Sequence, residues 1–396
     1  MRRKENIDKY QAPLGVYVHI PYCLTKCPYC DFNSYGTNGN FPEDDYVRAL
    51  EREIENFRGI IEGKEISTVF LGGGTPSLLK PRSIGMVMEK LASIASFSPK
   101  VEVSLEVNPR TADRKKLVSL MRVGVNRISV GVQSFSQRKL DFYGRFTTPD
   151  DCVRALVDVR DAGFHNYNLD LIYGSSRETQ EEFEEDIRTA LRFSPTHISA
   201  YCLTIEPGTE FATLWRKGKL SLPEDSVLVE FMRSAREILE AEGYGNYEVS
   251  NFARPGYECR HNLIYWNCHD YLGVGAGAHS HISCGGEEGW GIRWSNVRNP
   301  ELYMKRVTGD GNAVCASYDL SRTTALEDKL LMGLRLNDGV GIEGLKKRFG
   351  CEPDASGLEY LESDGFILTD GDRLRLTAKG RVFTDELVAR VCGVFH

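Results

Sequence analysis

Three cysteines lie close together near the start of the chain, in the segment "CLTKCPYCDF" that begins at Cys23. Cys27 and Cys30 have the spacing of a redox pair, but such a pair would not explain Cys23. Structural zinc usually takes four ligands, and no fourth Cys or His follows at zinc-finger spacing. Cys thiolates also bind iron–sulfur clusters. A [4Fe–4S] cluster held by three thiolates would leave one iron open to bind another molecule.

Polar groups and a glycine-rich turn follow several predicted strands. The cysteine loop follows the strand "GVYVHI", and "GGGTP" at residues 72–76 follows "STVFLGGG". Glu106, Gln133 and Asp170 stand at the ends of three further apolar, β-branched runs. Buried carboxylates are costly without partners, and ligands of α/β folds bind at the carboxyl ends of the strands. We therefore expect these groups to converge on one pocket.

The strands that carry these groups alternate with amphipathic helices. Six strand–helix repeats predict an α/β fold with a mostly parallel sheet, and both an open sheet and a partial or full barrel fit this pattern. From residue 247 the chain becomes rich in Gly, His and aromatic residues and is predicted to be irregular or β-rich. The tail shows a helix, hairpin and helix order typical of a small winged-helix-like domain. We predict domains at residues 1–246, 247–315 and 316–396.

Composition narrows the classes of function. The 396 residues carry a net charge of −7, which gives no general attraction to nucleic acid or anionic lipid. No apolar run is long enough for a membrane span or for the core of a signal peptide, so we expect a cytoplasmic protein. The remaining eight of the 11 cysteines are dispersed, and we interpret them as small buried or free thiols.

The spacing CxxxCxxC after a first strand, with GGGTP after a second, resembles the radical S-adenosylmethionine (SAM) superfamily. In that superfamily SAM chelates the open iron of a [4Fe–4S] cluster. The segments "VYVHIPYC", "CPYCDF", "LEVNP", "RISVGVQSF", "LDLIYG" and "HNLIYWNCHDYLGVGAGAHS" are similar to the HemN/HemW group, over nearly the whole chain. The resemblance implies a partial (β/α)6 TIM-like barrel, a β-rich extension and a HemN C-terminal domain.

The resemblance also assigns residues of this chain to cofactors. Cys23, Cys27 and Cys30 would hold the [4Fe–4S] cluster. The residues that would contact SAM are Tyr17, Gly73, Gly74, Thr75, Glu106, Gln133, Arg145 and Asp170. An arginine suits the carboxylate of SAM, and a carboxylate suits its ribose hydroxyls or its ammonium group.

Two features separate the branches of this group. Coproporphyrinogen III dehydrogenases carry another cysteine two residues after the last cluster cysteine, where this chain has Phe32. They also carry a longer N-terminal arm, whereas about 14 residues precede the first predicted strand here. Together with "HNLIYW" at residues 261–266, these features resemble HemW, the haem-chaperone branch. The alternatives are the oxidative decarboxylation of coproporphyrinogen III and a radical SAM reaction that modifies haem.

Haem is then the expected cargo, with haem-dependent respiratory or membrane proteins as recipients. His261 lies in the motif and is our first candidate for haem contact, although it could instead brace the aromatic packing. Weaker candidates are His279, His281, Cys259 and Cys268. We expect His19 to orient the cysteine loop through a hydrogen bond. The resemblance also allows a homodimer and a transient membrane contact, and nucleic acid binding is not expected.

Overall fold

The computed structural model of the chain describes residues 13–395, except Gly285 and Glu287. The predicted short N-terminal arm before residue 13 therefore lies outside the described residues. Six parallel strands form the centre of the fold and pair in the order in which they occur along the chain. They are β1 (Leu14–Ile20), β2 (Glu65–Gly73), β3 (Ser96–Val107), β4 (Arg127–Gln133), β5 (Tyr167–Tyr173) and β6 (His197–Cys202).

Helices follow these strands and cover the outside of the sheet. Alternating residues explain why: in β4, Ile128, Val130 and Val132 are fully buried and belong to the apolar core that includes the helices, whereas the residues between them face the other way. The helices of this part are α1 (Glu43–Asn56), α2 (Arg58–Ile61), α3 (Pro81–Ala92), α4 (Arg114–Arg122), α5 (Gln137–Phe142), α6 (Pro149–Ala162), α7 (Gln180–Leu191), α8 (Glu210–Arg216) and α9 (Asp225–Ala241). The predicted partial (β/α)6 barrel is confirmed.

The extension enlarges the sheet at both of its edges. At one edge β6 pairs with β8 (Asn251–Ala253), which pairs with β7 (Gly245–Asn246). At the other edge β1 pairs in parallel with β9 (Tyr271–Val274), and three antiparallel strands complete a sheet of 12 strands. These are β10 (His279–Ile282), β11 (Ile292–Asn296) and β12 (Val314–Asp319). A helix, α11 (Pro300–Gly309), connects the last two. The predicted boundary at residue 316 falls inside β12.

The structure differs from the expected irregular course of this segment at the motif "HNLIYW". These residues form the helix α10 (Arg260–Trp266). The capping residue Cys259 gives no side-chain hydrogen bond to the helix start. The carboxylate of Glu102, on β3, instead accepts hydrogen bonds from the backbone N–H groups of Arg260 and His261, both at 3.2 Å. The helix is thus stabilised by a residue about 160 positions earlier, which local sequence cannot reveal.

The C-terminal part has its own apolar core, formed by buried residues between Leu320 and Phe395. Its elements follow the helix, strand, two helices and hairpin order of a winged helix. They are α12 (Arg322–Gly333), β13 (Val340–Gly341), α13 (Ile342–Phe349), α14 (Ala355–Ser363), β14 (Ile367–Asp370), β15 (Arg373–Leu376), α15 (Ala378–Arg381) and α16 (Thr384–Cys392). Across the described residues, no helix is both long and apolar enough to cross a membrane.

A buried ionic network fixes the two loops that follow β4 and β5. Lys139 is fully buried and contacts the carboxylates of Glu178 and Asp186, the latter at 2.8 Å. Glu178 accepts hydrogen bonds from the backbone N–H groups of Gly174 and Ser175, at 2.9 and 2.8 Å. Asp186 accepts the hydroxyl of Ser134 and the backbone N–H of Phe135, at 2.6 and 2.7 Å. One ammonium group therefore holds both loops beside the carboxyl ends of the strands.

We expect Lys139→Met to lower the free energy of unfolding by about 3–5 kcal/mol, because it leaves two buried carboxylates without their cation. Urea unfolding followed by far-UV circular dichroism measures the change. Lys115→Met is the matched control, since Lys115 is exposed on α4. Equal unfolding midpoints for the two variants would contradict a stabilising network.

A second buried carboxylate attaches the extension to the barrel. Glu53, on α1, accepts hydrogen bonds from Gly275 N–H at 2.7 Å, from the Asn296 amide at 2.6 Å and from the Tyr303 hydroxyl at 2.6 Å. Burial nevertheless raises the pKa of Glu53 from 4.5 to about 7, although these three hydrogen bonds act in the opposite direction. The folded protein therefore binds this proton more tightly than the unfolded chain does.

This pKa shift predicts a pH dependence of stability. The contribution of Glu53 is fully present below about pH 4.5 and is lost as the pH rises through about 7. Since Gln does not titrate there, the stability of Glu53→Gln relative to the natural protein should rise by about 3 kcal/mol between pH 4.5 and pH 8. Urea titrations across this range measure it, with the exposed-site variant Glu65→Gln as control. A pH-independent difference would refute the expectation.

Candidate functional site

A cavity of about 810 Å³ occupies the inside of the barrel and opens at the carboxyl ends of the strands. All the residues predicted to bind the cluster or SAM line this cavity, and so does the first haem candidate. These are Cys23, Cys27, Cys30, Tyr17, Gly73, Gly74, Thr75, Glu106, Gln133, Arg145, Asp170 and His261. Of the weaker haem candidates, His279 and Cys259 line the cavity, whereas His281 and Cys268 are outside its lining. The predicted convergence on one pocket is therefore present.

A chain of hydrogen bonds connects two of the three thiols. The Thr75 hydroxyl donates to the sulfur of Cys23 at 3.4 Å and accepts the Asn108 amide at 2.8 Å. The side-chain oxygen Oδ1 of Asn108 accepts a hydrogen bond from the Arg145 guanidinium at 2.8 Å, and Arg145 also donates to the sulfur of Cys27 at 3.8 Å. These four contacts fix Thr75 and Arg145, both predicted SAM contacts, relative to the cysteine loop.

The side chains of His19 and Tyr17 also hold the cysteine loop in place through hydrogen bonds. His19 donates through Nε2 to the carbonyl of Asn33 at 2.9 Å, because a carbonyl oxygen can only accept. Its Nδ1 is then the acceptor for the Tyr17 hydroxyl at 2.9 Å. Asn33 in turn donates to the carbonyls of Ala276 and Arg298, at 2.8 and 2.9 Å. The expected role of His19 in orienting the loop is confirmed, and the loop is joined to the extension.

The environment of the three thiols fits an iron–sulfur cluster. Cys23 and Cys27 accept hydrogen bonds from Thr75 and Arg145, and the Cys30 sulfur lies 3.8 Å from the Ser34 hydroxyl. Such donors stabilise the negative charge of thiolate ligands. Within the described ranges, no three His, Cys, Asp or Glu residues are grouped so as to hold a single metal ion. A bound cluster would supply one-electron chemistry at the open iron.

Two half-buried carboxyl groups, those of Glu106 and Asp170, also line the cavity. Burial, and then the charge of Asp170, raise the pKa of Glu106 to about 8, although Gly73 N–H donates to its carboxylate at 3.1 Å. Burial also raises the pKa of Asp170, against hydrogen bonds from the Ser129 hydroxyl at 3.1 Å and the Asn168 amide at 2.7 Å. At neutral pH Glu106 is mostly protonated in the ligand-free protein, and it can donate or accept a hydrogen bond.

Sequence reasoning missed several residues that line the same cavity. They share one feature, the lumen-facing positions of β4, β5 and β6, and they are Arg127, Ser129, Asn168, His197 and Ser199. His197 bonds to Asn168 at 2.6 Å and to the Tyr247 hydroxyl at 2.8 Å, and its pKa lies well below the usual value because of burial. The strict alternation of polar and apolar residues in "RISVGVQ" could have identified the lumen face.

The helix α10 contributes His261 to the cavity wall. Its ring is about 1% exposed, and both nitrogens are engaged: Nδ1 with the Thr68 hydroxyl at 2.7 Å and Nε2 with the Tyr265 hydroxyl at 2.8 Å. Burial, and then the charge of Arg127, lower the pKa of His261 to about 3, so the imidazole is neutral. The ring also stacks on Phe70, with centroids 5.3 Å apart. In this state His261 acts as a brace between helix and barrel.

Comparisons with known proteins agree with this architecture. Residues 17–190 match the Radical SAM superfamily, and residues 320–383 match the HemN C-terminal domain. The protein named Heme chaperone HemW from Escherichia coli K12 is 35% identical over 378 residues, which cover 95% of this chain and 97% of that protein. The Bacillus subtilis protein of the same name is 33% identical over 383 residues, or 96% and 99% of the two chains.

A solved structure supports the same assignment. The coproporphyrinogen III oxidase HemN from Escherichia coli, described as a radical SAM enzyme, superposes with a TM-score of 0.80 at 26% identity. The alignment covers 97% of this chain and 90% of that one. Three findings agree on the family. Family models match both ends of the chain, relatives are similar over nearly its full length, and the barrel and C-terminal domain are shared with a solved structure. The chain belongs to the HemW family of the radical SAM superfamily.

Proposed function

We propose that this protein is a haem chaperone that binds a [4Fe–4S] cluster, SAM and haem, and that it delivers haem to haem-dependent respiratory or membrane proteins. The observation that carries the proposal is the near full-length similarity to relatives named Heme chaperone HemW. Phe32 supports it, because its 58% exposed side chain stands at the mouth of the cavity where the dehydrogenase pattern has a cysteine.

The cofactor assignment rests on the cavity. Cys23, Cys27 and Cys30 would bind the cluster, and the open iron would face a cavity that Arg145 and Asp170 also line. Arg145 suits the SAM carboxylate, while the polar wall around Asp170 suits ribose hydroxyls. His261 stays the predicted haem contact, with His279 and Cys259 as further contacts within the same cavity. A cytoplasmic location with transient membrane contact, and a homodimer, belong to the same proposal.

The second function is oxidative decarboxylation of coproporphyrinogen III. The structural likeness to HemN from Escherichia coli, which extends over 97% of this chain, favours it. Phe32 argues against it. The two functions share the cluster and SAM sites, so only the fate of the tetrapyrrole distinguishes them.

We expect Cys27→Ser to abolish the visible absorption of the anaerobically reconstituted cluster and to lower its iron and sulfide content, because a serine hydroxyl is a poor replacement for a thiolate ligand. Absorption spectra and iron and sulfide analysis measure this. Cys315→Ser is the control, since Cys315 is an exposed cysteine on β12. An unchanged spectrum in Cys27→Ser would mean that the cluster assignment is wrong.

The function is tested by offering the reconstituted protein two tetrapyrroles. With haem, we expect a stable complex that keeps its Soret band in the presence of SAM and reductant. With coproporphyrinogen III, SAM and reductant, we expect no release of carbon dioxide above a protein-free control. Catalytic carbon dioxide release would refute the chaperone. Loss of the haem chromophore only when SAM and reductant are present would favour the haem-modifying alternative.

A further inference from the structure

Arg127 is a buried cation at the end of the cavity that lies away from the cysteine loop. It is the first residue of β4, and the parallel strands place it at the amino end of the barrel, whereas the loop lies at the carboxyl end. Its side chain is about 2% exposed and lines the cavity. A buried guanidinium is costly unless its donors are paired, so its partners decide its role.

The described residues give the Arg127 guanidinium no direct partner. No ion pair within 4 Å involves it, and its Nε is buried without an acceptor. Carboxylates are near enough to stabilise the charge, with Glu102 and Asp170 both acting on it from a distance. Neither offers it an oxygen at hydrogen-bond distance. The described residues therefore leave the guanidinium without a hydrogen-bonding partner, in a side chain that lines the cavity.

The two nearby carboxylates are already engaged elsewhere. Glu102 accepts the backbone N–H groups of Arg260 and His261, at 3.2 Å each, and the thiol of Cys259 at 3.7 Å. Asp170 accepts the Ser129 hydroxyl and the Asn168 amide. Rotating either carboxylate toward Arg127 would break these bonds. The unpaired donors of Arg127 are thus suited to an acceptor supplied by a molecule in the cavity.

The position of Arg127 indicates which molecule this is. Arg145, at the other end, contacts the Cys27 thiol and is suited to the carboxylate of a SAM molecule at the cluster. Arg127 instead acts electrostatically on His261, Cys259 and His197, at the end closed by α10. A planar guanidinium binds carboxylates through two parallel hydrogen bonds. Haem carries two carboxylates, its propionates.

We propose that Arg127 binds a haem propionate and so anchors haem at the amino end of the barrel. The choice of haem rests on the proposed chaperone function, while the need for a hydrogen-bond acceptor rests on the unpaired guanidinium. Other arrangements are a purely structural counter-charge for Glu102, and binding of the SAM carboxylate. The three arrangements differ in which binding affinity should depend on a ligand carboxylate: that of haem, that of SAM, or neither.

The test compares haem with iron protoporphyrin IX dimethyl ester, in which both propionates are esterified. Full-length, cluster-reconstituted protein is titrated with each ligand and followed by the Soret band. We expect the natural protein to bind haem about 10- to 100-fold more tightly than the diester, the range for one charge-assisted hydrogen-bonded contact. Arg127→Met should lose this preference, binding haem about as weakly as the diester. Arg122→Met, at an exposed position of α4, should keep it.

Several outcomes would overturn the proposal. If Arg127→Met weakens haem and diester equally, Arg127 acts by positioning α10 and not by binding a propionate. If Arg127→Met weakens SAM but not decarboxylated SAM and leaves haem unchanged, the carboxylate is that of SAM. If Arg127→Met does not fold, the proposal is tested with the natural protein alone. Equal affinity of the natural protein for haem and for the diester would refute propionate binding. If the natural protein binds neither tetrapyrrole, the proposed chaperone function is refuted. If the natural protein binds both equally, only the proposal for Arg127 is refuted.

Discussion

The need to satisfy polar groups inside a barrel determines most of this structure. The lumen contains carboxylates, histidines and arginines, and each would be costly there without a hydrogen-bonding partner. The fold meets this need with chains of contacts, such as the one from Cys23 through Thr75, Asn108 and Arg145 to Cys27. Because these contacts use up the donors and acceptors of the wall, a group that lacks a partner stands out. In the wall of this cavity, Arg127 is such a group.

The same constraint explains why the extension belongs with the barrel. The six strands provide the cavity, but the cysteine loop is also held by residues 275–277, through Asn33 and through the Tyr46 hydroxyl, which donates to His19 O and accepts Ala276 N–H. Glu53 then holds the backbone of the same segment from the helix side. These contacts would support the loop on one face while the proposed cluster faces the cavity on the other. Similarity to HemW relatives over nearly the whole chain is consistent with this dependence.

Sequence patterns predicted the parts of the fold that local physics controls. The six parallel strands, the cysteine loop and part of the cavity lining followed from periodicity, from strand ends and from a family resemblance. The helix α10 did not, because Glu102, on a distant strand, stabilises its first turn. Arg127 and Asn108 were missed for a related reason. Arg127 begins a strand and Asn108 follows one, and polar residues are common at both positions. Only the folded barrel shows that Arg127 lacks a partner and that Asn108 connects Thr75 to Arg145.

The position of His261 reconciles the two roles that its sequence context allows. Its Nε2 partner, Tyr265, lines the cavity, whereas its Nδ1 partner, Thr68, lies outside the lining. A haem iron in the cavity would therefore meet Nε2, in the place that the Tyr265 hydroxyl now occupies. The neutral ring would then carry its proton on Nδ1 and donate to Thr68, the arrangement that orients ligating histidines in proteins. Burial favours this, because it keeps the imidazole neutral. The same residue braces α10 in this structure, and as the proposed haem contact it would offer Nε2 to the iron.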